Sequence, residues 1–204
     1  MATKSITGFN ISVKYTAATL KKLNAIRETL PQGPLKGLPA YTTLIQRLPK
    51  TMPRETYREI LTKIASTSTP FKLASSEAPS LEARVTRGKD QERSFSQICL
   101  TLPSEPFSPI RQKIIDEFQA AFQAEKERLG SENVHRIAPK TYYFAGLSQT
   151  VDSAKLAPMV ADLAQKHPEG LGELEVEGLQ FFAEGKPANQ AEENHKEVFL
   201  FPGA

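Results

Sequence analysis

Apolar and polar residues alternate along several stretches of this chain and recur every three or four residues along others, which predicts strands and helices in turn. Strands are predicted where alternation or a short apolar run is bounded by Gly, Pro or polar clusters. They cover residues 6–15, 40–48, 71–75, 81–87, 94–102, 139–146, 174–181 and 196–202. Gly178 interrupts the strand that begins at Leu174, which predicts a β-bulge there.

Helical periodicity predicts four helices between these strands. Thr16 is a candidate N-cap of the first helix, whose apolar face is expected to be Leu20, Leu23, Ile26 and Leu30. The others begin after Pro53, at Pro106 and after residue 152 or 153. The third is the longest, with Ile110, Ile114, Phe118 and Phe122 in one stripe and Gly130 as its stop.

The order of these elements repeats, because each half of the chain alternates strands with helices and then ends in strands. Such an order is typical of an α+β protein in which helices cover the outer faces of two antiparallel sheets. With 204 residues, the chain is predicted to form a single domain over 1–204.

The composition narrows the possible partners. The net charge of +3 permits an anionic ligand but does not require a nucleic acid. The single Cys99 lies in an apolar run and is expected to be a buried thiol, which excludes an internal disulfide. His135, His167 and His195 are scattered without ligand spacing, so no metal is expected.

Other signals are missing from the sequence as well. There is no Gly-rich phosphate loop and no nucleophile elbow, so no cofactor is predicted. No window of 18 apolar residues predicts a membrane span, and the N-terminus lacks the apolar core of a secretory signal. A cytoplasmic protein that does not bind a membrane is therefore the expectation. The phenylalanines at 181, 182, 199 and 201 are assigned to the core rather than to a ligand clamp.

Two short stretches carry the candidate chemistry. Residues 39–49 are PAYTTLIQRLP and residues 138–145 are APKTYYFA. Each places two polar side chains at alternate positions of a predicted strand, Tyr41 with Thr43 and Lys140 with Tyr142. Alternate residues of a strand face the same way, so each pair shares a face, while Thr42 and Tyr143 are expected to point towards the helices.

These stretches and the repeated element order resemble the two-histidine (2H) phosphoesterase superfamily, which includes 2′-5′ RNA ligase-like proteins and cyclic phosphodiesterases. The resemblance implies two lobes of antiparallel sheet, related by a pseudo-twofold axis, around a central cleft. In the family, each lobe contributes a strand with a His-x-Thr/Ser motif to that cleft. The resemblance extends over nearly the whole chain by element order, but over only these two stretches by residue.

Both motif histidines are replaced in this chain. Tyr41 and Lys140 stand where the family has histidine, and Thr43 and Tyr142 stand at the two hydroxyl positions. The family reaction needs one imidazole as base and one as acid. Tyrosine and lysine have unperturbed pKa values of about 10 and about 10.4, so neither substitutes well at neutral pH. The resemblance therefore implies a degenerate active site that has lost efficient cyclic-phosphodiesterase activity.

Three hypotheses for the function remain open. The first is a protein that binds a small anionic or carbonyl-bearing ligand in the cleft through Thr43, Lys140 and Tyr142. The second is a repurposed enzyme in which Tyr41, Lys140 and Tyr142 act as acid–base groups in an isomerisation or cyclisation. The third is a phosphodiesterase or RNA-processing enzyme with a non-standard acid–base pair. An open basic groove would favour a nucleotide or RNA, whereas an enclosed apolar pocket would favour a small organic molecule.

Overall fold

The computed structural model describes residues 8–31, 40–49, 51–87, 92–130, 135–140, 143–150, 153–184 and 196–204. Within these ranges the chain is an α+β protein with antiparallel sheets and four α-helices, as the sequence predicts. In chain order, the elements are β1 (Gly8–Tyr15), α1 (Ala17–Glu28), β2 (Thr43–Leu48), α2 (Arg54–Ser66), β3 (Phe71–Ser75), β4 (Ser80–Arg87), β5 (Glu92–Leu102), α3 (Ser108–Leu129), β6 (Tyr143–Thr150), α4 (Ser153–Lys166), β7 (Gly172–Glu184) and β8 (Glu197–Leu200).

The strands pair into two sheets. The first has the order β2–β1–β7–β3, with β8 also paired to β7, and the second has the order β4–β5–β6. Strand β7 comes late in the chain but lies between β1 and β3, so the first sheet joins segments from both halves of the sequence. The strands to which the two motif stretches contribute, β2 and β6, lie at the ends of their sheets' strand orders.

Local signals place the start of α1 and the end of α3 where the sequence predicts them, whereas α3 begins at Ser108 rather than at Pro106. The Thr16 side chain accepts a hydrogen bond from the amide of Thr19 and caps α1. Gly130 ends α3 in the left-handed conformation, with a φ of 62°. The predicted stripe Ile110, Ile114, Phe118 and Phe122 is buried along α3.

The buried face of α1 differs from the prediction. Thr19, Leu23 and Arg27 are its buried residues, whereas Leu20 and Ile26 are only partly buried against the core. The Thr19 hydroxyl accepts a hydrogen bond of 2.9 Å from the amide of Glu175 in β7. A polar residue lies on the inner face because a strand amide beneath the helix uses it as an acceptor.

Gly178 marks the predicted β-bulge. Lys14 of β1 pairs with Gly178, but the next residue, Tyr15, pairs with Val176, so Glu177 is the extra residue. A Cβ atom on Gly178 would lie 2.3 Å from the carbonyl oxygen of Phe199. The close approach of β8 therefore requires glycine at this position.

The face of the first sheet that packs against α2 and α3 carries a cluster of buried aromatic rings. Tyr57 of α2 stacks on Phe181 of β7 with ring centroids 5.3 Å apart, and Phe9 and Phe118 pack beside this pair. Phe181 and Phe201 are core residues, as predicted. Phe182 is only partly buried, because alternation along β7 directs it to the opposite face.

Candidate functional site

The two motif stretches meet at the junction of the sheets. The Thr42 hydroxyl donates a 3.0 Å hydrogen bond to the carbonyl oxygen of Phe144 in β6. The Tyr15 hydroxyl lies 2.7 Å from the same Thr42 oxygen. Since the Thr42 proton goes to the carbonyl, Tyr15 is the donor of the second bond. A chain of two hydrogen bonds therefore runs from β1 through Thr42 to β6.

Thr42 shares a face of the first sheet with the Tyr15 side chain, since the two hydroxyls are hydrogen-bonded. Its side chain is buried between the two motif stretches, and its carbonyl oxygen accepts a 2.9 Å hydrogen bond from the amide of Val13. Thr42 hydrogen bonds to Val13 of β1 through its backbone and to Phe144 of β6 through its side chain, so it lies where the two sheets approach each other. The residue that connects the two stretches is thus Thr42, which lies between the predicted site residues Tyr41 and Thr43.

Tyr41 and Thr43 lie on either side of Thr42. Thr43 is the first residue of β2, pairs with Ser12 of β1 and is 9% exposed. Tyr41 precedes β2 and is partly buried, with its ring edge-on to Phe182 at 5.6 Å between centroids. The sequence assigns Phe182 to the core, but the structure places it in the surroundings of Tyr41.

Lys140 lies just before β6 and reaches across to the first motif stretch. Its ammonium donates a 2.5 Å hydrogen bond to the carbonyl oxygen of Thr43, not to its hydroxyl. The same ammonium lies 5.1 Å from the ring centre of Tyr143 and 5.7 Å from that of Phe144, within the range of cation–π attraction. Tyr142, the fourth predicted site residue, lies outside the described residues.

Arg111 of α3 also connects the two stretches. Its guanidinium donates to the carbonyl oxygen of Leu44 in β2 at 3.4 Å and to that of Ala138 at 2.6 Å. Since both acceptors are backbone atoms, α3 holds the segment before β6 against β2 at a fixed distance. The junction therefore has positive side chains from two different elements, Arg111 from α3 and Lys140 from the segment before β6.

A third positive group is Arg27, which the sequence analysis did not identify. It is 4% exposed and lies one turn after Leu23 on the inner face of α1. Burial lowers the pKa of Arg27, and the neighbouring Tyr41 phenol opposes this shift. The only sequence signal is its spacing, because Thr19, Leu23 and Arg27 follow each other at intervals of four.

The tyrosines at the junction are unsuited to acid–base catalysis at neutral pH. Burial raises the pKa of Tyr41, although the nearby Arg27 guanidinium acts in the opposite direction. Burial also raises the pKa of Tyr143, which Arg111 partly offsets. Both phenols therefore stay protonated at pH 7, where they can donate or accept hydrogen bonds but cannot act as general bases.

Two cavities of the described part of the chain have linings that do not include Tyr41, Thr43 or Lys140. A groove of about 560 Å³ separates α1 from α4 and is lined by Ile26, Met159 and His167 among others. A smaller one, of about 130 Å³, lies beside the end of α3 and is lined by Phe122 and His135 among others. His167 thus lines the groove between α1 and α4, and His135 lines the smaller cavity.

The part of the chain that the structure describes contains no group of three or more His, Cys, Asp or Glu side chains arranged to hold a metal ion. Among the same residues, no helix combines the length and the apolar character needed to cross a bilayer.

Comparisons with known proteins give distant structural similarities. No family model matches the sequence, and no curated protein matches it. The crystal structure of TT0787 of Thermus thermophilus aligns over 94% of this chain and 93% of its own, with 13% identity and a TM-score of 0.45. Kluyveromyces marxianus Usb1 aligns over 95% of this chain and 97% of its own, with 10% identity and a TM-score of 0.38.

A second structure of Kluyveromyces marxianus Usb1, with uridine monophosphate, aligns with 12% identity and a TM-score of 0.35, again over 95% of this chain and 97% of that one. Identities and TM-scores this low establish neither a common family nor a common function.

Proposed function

We propose that this protein binds a small anionic ligand at the junction of the two motif stretches and does not hydrolyse cyclic phosphodiesters. The observation that supports binding most directly is the buried guanidinium of Arg27 beside Tyr41. Lys140 supplies a second positive charge at Thr43, two residues further along. Arg27 and Lys140 thus lie beside alternate positions of one stretch, which are about 6.5 Å apart on an extended chain, and we infer that one small ligand contacts both.

The chemistry of these groups favours an oxyanion. A guanidinium presents five N–H donors in a fixed plane that matches carboxylate or phosphate oxygens, and an ammonium adds up to three. Burial strengthens such contacts, because the effective dielectric constant is lower than in water. A protonated Tyr41 phenol adds a neutral donor next to Arg27. The ligand class we infer is a small phosphate- or carboxylate-bearing molecule.

The same geometry argues against hydrolysis. In-line cleavage of a cyclic phosphate needs a base that is unprotonated at neutral pH. Tyr41 is held protonated by burial, and the His135 ring packs against Phe122 of α3, with 5.1 Å between the ring centroids. His167 lies at the end of α4. Neither Tyr41 nor Lys140 carries an imidazole, which favours binding over hydrolysis.

Calorimetric titration tests the binding proposal with inorganic phosphate as the probe. We expect Arg27→Met to weaken phosphate binding by about one to two orders of magnitude, the loss typical of a charge-assisted contact. Lys21→Met is the matched control, since it removes the same charge from an exposed position of α1. Circular dichroism shows whether each variant stays folded. Equal affinities of the two variants would contradict the proposed site.

The absence of hydrolysis is tested with a nucleoside 2′,3′-cyclic phosphate followed by chromatography of the products. We expect no turnover above the uncatalysed rate. A kcat of about 1 s⁻¹ or more, which is typical of enzymes, would overturn this part of the proposal and support a phosphodiesterase with a non-standard acid–base pair.

A further inference from the structure

Ser12, in the middle of β1, has a hydroxyl without a hydrogen-bond partner among the described residues. Its side chain is 0% exposed, so water at the surface does not satisfy it either. Native proteins leave few buried polar atoms unsatisfied, because such an atom keeps its desolvation penalty without a compensating bond. An unsatisfied hydroxyl at the centre of a sheet therefore needs a physical explanation.

The two neighbours of Ser12 across the sheet are polar and buried as well. Ser12 pairs with Thr43 of β2 on one side and with Gln180 of β7 on the other. Directly paired residues share a face, with Cβ atoms about 5 Å apart. Gln180 is 2% exposed, and its amide donates a 3.2 Å hydrogen bond to the carbonyl oxygen of Val13. Thr43, Ser12 and Gln180 thus form a polar row across three strands, opposite the aromatic face.

An aromatic pair lies over the middle of this row. Tyr41 comes two residues before Thr43, and Phe182 comes two residues after Gln180. Since β2 and β7 both run antiparallel to β1, these two residues stand at diagonally opposite positions around Ser12. Their rings nevertheless meet at 5.6 Å, so both side chains lean across the row. A ring contact between these two positions spans the polar row, whose three residues are buried.

We propose that Thr43, Ser12 and Gln180 form a second binding subsite, covered by the Tyr41–Phe182 pair, for an uncharged hydroxyl or carbonyl group of the anionic ligand. The inference rests on the proposed function, because the anionic end of the same ligand lies against Arg27 beside Tyr41. When the rings separate, the ligand group hydrogen bonds to the Ser12 hydroxyl. The preferred ligand is then a phosphate or carboxylate that also carries a hydroxyl or carbonyl group.

A binding experiment with two probes tests the subsite. Inorganic phosphate has only the anionic end, whereas glycerol 3-phosphate adds two hydroxyl groups. We expect the wild-type chain to bind glycerol 3-phosphate more tightly, and Ser12→Ala to weaken that binding about two- to tenfold with phosphate binding unchanged. If Ser12→Ala binds both probes as the wild type does while Arg27→Met loses both, the subsite is wrong and the proposed function stands. If the wild type binds neither probe, both proposals fail.

Thermal unfolding without ligand tests the unsatisfied hydroxyl directly. Ser12→Ala removes a buried group that lacks a partner, so we expect an unchanged or higher Tm. Ser68→Ala is the matched control, since Ser68 is also buried but donates a 2.7 Å hydrogen bond to the carbonyl oxygen of Ile64, and its Tm should fall. If Ser12→Ala lowers the Tm as much as the control does, the hydroxyl is already satisfied by an internal water, and the inference is overturned.

Fluorescence tests the movement of the aromatic pair. The chain has no tryptophan, so Phe182→Trp introduces a single reporter at this contact. We expect saturating glycerol 3-phosphate, but not inorganic phosphate, to shift the tryptophan emission as the rings separate. An emission spectrum that both probes leave unchanged would contradict a cover that opens for the ligand.

Discussion

The ammonium of Lys140 donates a 2.5 Å hydrogen bond to the carbonyl oxygen of Thr43, across 97 residues of sequence. This bond connects the segment before β6 with the first residue of β2. The ammonium also lies over the rings of Tyr143 and Phe144, so its position is determined by several contacts. A positively charged group held in this way is suited to an anion that approaches the junction, because it loses little conformational freedom on binding.

Lys140 should matter more for binding than any histidine of the chain. We expect Lys140→Ala to weaken phosphate binding by about one to two orders of magnitude, the effect of one charge-assisted contact. His135→Ala, His167→Ala and His195→Ala should each bind as the wild type does, and Lys140→Arg, which keeps the charge, should lose less. Titration calorimetry measures the affinity of each variant. A histidine variant that abolishes binding, with Lys140→Ala unaffected, would mean that the second motif is misplaced.

Thr42 should contribute to stability through the two hydrogen bonds that connect β1 with β6. Thr42→Val keeps the shape but leaves the Tyr15 hydroxyl and the Phe144 carbonyl oxygen without this partner. We expect the free energy of unfolding to fall by about 1–3 kcal/mol, and by less in Thr42→Ser, which keeps the hydroxyl. Urea unfolding measures the change. Thr62→Val, an exposed site on α2, is the control and should have almost no effect.

The buried phenols should make the fold sensitive to alkaline pH. Burial raises the pKa of Tyr57, with a smaller contribution from Glu125, and burial also raises the pKa of Tyr15. In the unfolded chain these phenols titrate near pH 10, so above that pH the unfolded state holds fewer protons than the folded state. The contribution of the two phenols to the free energy of unfolding should therefore be constant from pH 8 to about 10 and then fall.

Urea unfolding between pH 8 and 11 measures this dependence. Tyr57→Phe serves as the diagnostic variant. Its stability at pH 8 should be lower, because the Tyr57 hydroxyl donates to the carbonyl oxygen of Pro49, but its decline above about pH 10 should be less steep. A decline as steep as in the wild type would show that Tyr57 does not contribute to it.

Glu197 of β8 should make the free energy of unfolding fall as the pH is lowered, whereas the buried phenols make it fall as the pH is raised. Its carboxylate accepts from Arg54 at 2.7 Å and from Arg58 at 2.5 Å, which holds β8 against α2. Burial acts to raise the pKa of Glu197, but the hydrogen bonds and charges of the two arginines outweigh it, so the pKa is lowered. The stabilisation is therefore complete above about pH 4.3, where the unfolded carboxyl titrates, and is lost as pH falls through the lower folded pKa.

Glu197→Gln tests this ion pair. The variant should be less stable than the wild type at pH 7, and the difference between them should shrink as the pH falls towards about 3. Chemical denaturation at pH 7 and at about pH 3 measures the difference in the free energy of unfolding. A difference that stays the same at the acidic pH would indicate that the side chain acts through packing rather than through its charge.

Much of the fold can be predicted because its signals are local. The stripe from Ile110 to Phe122 defines α3, since residues four apart share a helix face whatever they pack against. Gly130 ends that helix because its left-handed backbone conformation suits glycine best. Alternation predicts β1 in the same way. The Tyr41–Thr43 and Lys140–Tyr142 pairs also follow from sequence spacing alone, and their functional roles remain predictions.

The tertiary structure decided which polar residues lie together. Arg27 is buried because α1 turns its Thr19–Leu23–Arg27 stripe inward, and Ser12 is surrounded because β7, from the far end of the chain, pairs beside β1. Neither fact can be obtained from a window of neighbouring residues. Amphipathic spacing shows that a helix or strand has faces, but which face is buried, and beside which side chains, depends on contacts between residues far apart in the sequence.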